Sequence, residues 1–126
     1  MLELIHMAGP FGWLLVIIAA VVLTHVVRAV WRLSTGTAEP GPAWDNKLNG
    51  ILFWGAFAAV FGFMGQCFGI YEAMTAISRA TEISPTVTAL GFYVSFTSTL
   101  IGLIICVIAA LCWYTLRVWS NRMVAA

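Results

Sequence analysis

Gly62-Phe63-Met64-Gly65-Gln66-Cys67-Phe68-Gly69 and Ser95-Phe96-Thr97-Ser98-Thr99-Leu100-Ile101-Gly102 decide how this chain is read. Both patches sit in runs too apolar for a water-soluble surface. In the first run Gly55, Ala58, Gly62, Gly65 and Gly69 are spaced 3, 4, 3, 4, a helical seam almost without side chains. Each glycine costs roughly 1 kcal/mol of helix propensity against alanine. In lipid the compensation is close helix packing, because small residues let backbones approach. The seam continues through Glu72, Ala76 and Arg79 and so turns polar at one end. In the second run Thr88, Gly91, Ser95, Ser98, Thr99, Gly102, Cys106 and Ala109 share one helical face, with Phe92, Tyr93, Phe96, Leu100, Ile104 and Val107 opposite. These hydroxyls have two uses: bonding back to their own helix carbonyls, or lining a polar path.

Composition places both runs in a membrane. The chain of 126 residues is 62% hydrophobic and 9% charged, with mean hydropathy +0.98, against about 45–50% and 25% for a soluble domain. The expected fold is an all-α integral membrane protein of one domain with three transmembrane helices. The first spans 11–33. A loop at 34–46 is marked by Pro40-Gly41-Pro42, which argues against helix there. The second helix runs 47–80, with Asp45 or Asn46 as its cap. An outer turn covers 81–84, and the third helix runs 85–119 with Ser84 and Pro85 opening it. The second and third are longer than a bilayer core of about 30 Å requires. The segment 1–10, with Glu3 and His6 among apolar residues, suits a short interfacial helix and lacks a signal-peptide pattern.

Charge sets the orientation. Arg28, Arg32 and Lys47 flank the first loop and Arg117 and Arg122 follow the third helix, leaving Arg79 alone of the six basic residues on the other side. The positive-inside rule then puts the C-terminus in the cytoplasm and the N-terminus outside. The formal net charge of +1, without a basic cluster, gives no sign of nucleic-acid binding. Six tryptophans fall mostly near span ends, as interfacial tryptophans do. His25, an ionisable residue inside a span, is a functional candidate by position, but its neighbour Arg28 places it equally well at the interface. Cys67, Cys106 and Cys112 lack the close partners of a metal site or disulfide and read as packing residues. No phosphate loop, activated nucleophile or carboxylate pair is present, so neither an enzyme nor a cofactor is expected.

Gly62-x-x-Gly65-x-x-x-Gly69, a short polar turn, and Thr99-x-x-Gly102-Leu103 in the next apolar helix resemble the MotA/TolQ/ExbB proton-channel family over 48–117. The resemblance implies a homo-oligomeric ring of five copies in the bacterial inner membrane, surrounding a dimer of a single-span partner that carries an essential intramembrane aspartate. It implies that proton flow at the interface drives mechanical work. Thr99 matches the family's pore threonine, and Gln66 stands where many relatives have threonine. Ser95 and Ser98 extend that path, while Gly91 and Gly102 join the packing seam. The glutamate that the transporter branch carries five residues before its pore threonine is Val94 here; the flagellar branch lacks it too. Glu72 is titratable but lies near the outer end. Relatives with a substantial helical cytoplasmic region between the first two spans differ from this chain, whose first loop is minimal. A non-conducting membrane scaffold, using the same seams to bind another membrane protein, fits the composition as well.

Overall fold

The computed structural model describes residue 3 and residues 9–39, 41–82 and 84–125. The expected interfacial helix at 1–10, His6 included, therefore lies largely outside the described residues. The fold is three helices: α1 Gly9–Ser34, α2 Pro42–Arg79 and α3 Pro85–Ala125. All three are long and apolar enough to cross a membrane. At 1.5 Å per residue, α2 and α3 are about 57 and 62 Å long, so both extend well past the hydrocarbon layer or tilt within it.

The helix ends follow local chemistry. α1 closes on Gly36, whose φ of 64° is the left-handed position glycine adopts freely. Gly36 N–H donates to the Leu33 carbonyl and Thr37 N–H to the Arg32 carbonyl, the two bonds of a Schellman closure. α2 begins at Pro42, earlier than expected at 47, with Gly41 rather than Asp45 or Asn46 as the cap residue. The Pro-Gly-Pro run excludes helix only up to its last member: a proline in the first turn has no N–H to leave unsatisfied. Asp45 instead sits in the first turn, where its charge favours the helix dipole. α3 opens at Pro85 as expected, with the Ser84 carbonyl accepting from Val87 and Thr88. It runs past 119 to Ala125 because neither Gly nor Pro follows Trp119 to stop it.

The helices form an antiparallel up-down-up bundle in which α2 and α3 share the longest interface and α1 lies mainly against α2. α1 contributes Leu15, Ile18, Val22, Ala29 and Leu33, an apolar stripe at helical spacing that meets Trp44, Leu48 and Ile51 in one buried cluster. Its first turn reaches the C-terminal half of α2, where the Phe11 and Phe68 rings lie 5.4 Å apart. Trp44 departs from the interfacial pattern. It is 4% exposed, and its indole Nε1 is buried without a hydrogen-bond acceptor among the described residues, which costs about 1–3 kcal/mol. Trp13 and Trp31, by contrast, are exposed.

Candidate functional site

The two sequence seams meet each other inside one chain. They are not left bare for a neighbouring copy. A side chain at Gly55 would have its Cβ 2.5 Å from Ala109 Cβ; at Gly62, 2.7 Å from the Ser98 carbonyl oxygen and 3.2 Å from Gly102 Cα. At Gly69 it would come 2.5 Å from Ser95 Oγ, and at Gly102, 2.5 Å from the Ala58 carbonyl oxygen. Gly65 faces both Ser98 and Phe11, and Gly91 faces Ala73. The residues thus pair in descending against ascending order along α2 and α3, with backbones nearly touching around Gly62 and Gly102. Small residues were required because no side chain larger than a hydrogen fits those places.

This close approach brings hydroxyls to a backbone carbonyl on the other helix. Ser98 Oγ lies 3.2 Å from the Gly62 oxygen and Thr99 Oγ1 also 3.2 Å from it. Thr99 Oγ1 donates over 2.7 Å to Gln66 Oε1, while Ser98 Oγ lies 3.0 Å from the Ser95 carbonyl. Each hydroxyl has one proton and two acceptors in reach, so its donated bond can switch without the side chain leaving its place. Ser95 Oγ bonds back to the Gly91 carbonyl at 2.8 Å. Ser95 and Ser98 are buried between α2 and α3, whereas Thr99 and Gln66 are half-buried at the edge of the seam. The Gln66 amide nitrogen has no acceptor among the described residues. The site is therefore graded from a dry interior at Ser95 and Ser98 to an open rim at Thr99 and Gln66.

The other candidates lie elsewhere. Glu72 is exposed, six residues and about 9 Å beyond Gln66 along α2. His25 is half-buried between α1 and α2, its Nδ1 2.8 Å from the Val21 carbonyl oxygen and its ring beside Gly50. Gly50 stands sixteen residues, about 24 Å, from Gln66 along α2, so His25 and the Thr99–Gln66 pair belong to different levels of the bundle. Two polar features escaped the sequence reading. Thr97, off the small-residue stripe, is buried and bonds to the Tyr93 carbonyl at 3.1 Å. Trp113 Nε1 donates to Asn49 Oδ1 at 3.3 Å, tying α3 to α2, with the Arg117 guanidinium 5.1 Å from the Trp113 ring centre. Among the described residues no cluster of His, Cys, Asp or Glu is placed to hold a metal ion.

Residues 17–126 match the model of the MotA/TolQ/ExbB proton channel family. The match includes most of α1, all of α2 and α3, and the Thr99–Gln66 site, so the chain belongs to this family. Comparison with curated proteins and with solved structures finds no match. Membership supports a proton-channel-type role for a multi-pass membrane protein of the bacterial inner-membrane kind.

Proposed function

We propose, taking that membership as the premise, that this chain is the ring-forming subunit of a proton-driven inner-membrane motor. Five copies surround a dimer of a single-span partner bearing an intramembrane aspartate, and proton passage between aspartate and ring does mechanical work. The observation that carries the reading is the Thr99–Gln66 pair: a hydroxyl with two competing acceptors next to an amide with unused donors, set half-buried in an otherwise apolar span. A protonated carboxyl passing this rim finds an acceptor in the threonine oxygen, and a carboxylate finds donors in the Gln66 amide. Neither needs a fixed charge in lipid, where an ionised group is costly. Ser95 and Ser98 serve this path from behind, by holding the seam against which Thr99 is positioned.

The test is proton uptake by vesicles containing this chain and its partner under an imposed potential, comparing wild type, Thr99→Val, Gln66→Leu and the exposed-face control Leu100→Val. Valine keeps the shape of threonine and removes its hydroxyl. Thr99→Val is expected to assemble normally and lose most of the flux, Gln66→Leu to lose less, and the control to conduct fully. A Thr99→Val protein conducting like wild type would sink the role of this residue. Wild type that never conducts beside its partner would favour a non-conducting assembly subunit. Orientation is tested separately: cysteine labels at positions 2 and 125 should report opposite sides, with position 125 cytoplasmic, as the basic residues require.

A further inference from the structure

The end of the bundle beside the first loop holds two adjoining clefts, of about 280 and 170 Å³, several times the roughly 30 Å³ that a water molecule occupies. Arg32, Trp44 and Lys47 line both. Arg28 and His25 complete the smaller cleft, and Glu39 is the acidic residue in the wall of the larger, so the walls are net positive. The side chains of Arg28, Arg32 and Lys47 make no hydrogen bond or ion pair with any described residue. A further observation points to a missing acceptor. The N-terminus of α2 forms part of the larger cleft through Gly41 and Ala43 and has no side-chain cap. Its Ala43 amide finds no acceptor among the described residues. The cations and the open Ala43 amide at the positive end of a 38-residue helix are all donors. The group that satisfies them together is an anion with several acceptor oxygens.

We propose that this corner binds a phosphate group, gripped by Arg32 and Lys47 and the first turn of α2. The site lies where α1 ends in exposed Trp31 and two arginines, a headgroup-level signature. The phosphodiester of an anionic lipid is therefore one source and soluble phosphate the other. The binding is independent of conduction, since the clefts flank His25 and not Gln66.

The experiment is native mass spectrometry of the full chain in detergent, titrated with phosphatidylglycerol or phosphatidylcholine. Its companion is thermal unfolding in potassium phosphate against chloride at equal ionic strength. Wild type is expected to retain phosphatidylglycerol saturably and at least tenfold better than phosphatidylcholine. Arg32→Gln/Lys47→Gln should weaken that retention at least tenfold. Lys47→Gln alone covers the case in which the double variant is unstable. Phosphatidylglycerol adducts assign the site to a lipid. Stabilisation by phosphate without such adducts, lost in the same variants, assigns it to the soluble anion. Absence of both, retention unchanged in Lys47→Gln and the double variant, or equal loss in the distant control Arg79→Gln, at the opposite end of α2, would overturn the site.

Discussion

One face of α2 follows two plans along its length. Near the first loop it carries Trp44, Leu48 and Ile51, large apolar side chains in the buried cluster that also takes in Leu33 of α1 and Leu116 of α3. Further along the same stripe it carries Gly55, Ala58, Gly62, Gly65 and Gly69, and there the contact with α3 is made by backbone and hydroxyls. The first plan resembles a soluble core cut lengthwise. The second exploits what a membrane lacks, a hydrophobic force between helices, by replacing it with close van der Waals approach and interhelical hydrogen bonds. The contrast teaches where the chain tolerates change. A large side chain can be trimmed near the first loop and leave a void, but one added in the glycine stretch has nowhere to go.

Substitutions in the two stretches should therefore differ in mechanism as well as size. The largest effect is expected from Gly62→Leu or Gly102→Leu. The new side chain meets backbone atoms on both flanks, and overpacking typically costs about 1–3 kcal/mol even where side chains can yield. Here they cannot, so thermal unfolding in detergent should show loss of the folded protomer. A protomer that stays folded while the ring dissociates would move the seam from the protomer's interior to the interface between copies. Next comes Ile51→Ala, fully buried in the large-residue stretch, expected to destabilise by about 2 kcal/mol or somewhat more while leaving flux per folded complex unchanged. Ser98→Ala should cost about 0.6 kcal/mol, the average for a hydrogen bond between membrane helices, because its Ser95 and Gly62 acceptors keep their own helix bonds. Thr99→Val should be nearest to neutral in stability and most severe in flux. If Ser98→Ala abolished flux as completely as Thr99→Val, the separation between a structural interior and a conducting rim would fail.

The three spans and the closeness of α2 to another helix were legible from composition and from glycine spacing alone, because both are consequences of lipid as the solvent. Which surface the seam meets was not. Spacing marks a face but does not say whether a helix of the same chain or of another copy covers it. The helix limits erred where one residue type has two meanings: Pro42 breaks a helix in its interior and starts one at its first turn. Trp44 shows the same ambiguity. A tryptophan at a span end commonly sits among headgroups, but this one is turned inward into the buried cluster, and only coordinates distinguish the two. In the site, Thr99 and Gln66 were both visible as polar residues in apolar helices. Their contact at 2.7 Å was not, since thirty-three positions separate them and only the register of α2 on α3 brings them together.

That register also gives the Gly62 carbonyl an unusual load. It lies in α2 four residues before Gln66, whose amide it serves in the helix ladder, and two hydroxyls from α3 lie within 3.2 Å of the same oxygen. An oxygen so heavily shared is more polarised than its neighbours, and its stretching vibration falls to lower frequency. A carbon-13, oxygen-18 pair placed at Gly62 would separate this one band from the rest of the amide spectrum. When the Thr99 proton turns from Gly62 toward Gln66 the band shifts upward, so infrared light reads the orientation of a single hydroxyl inside an intact membrane.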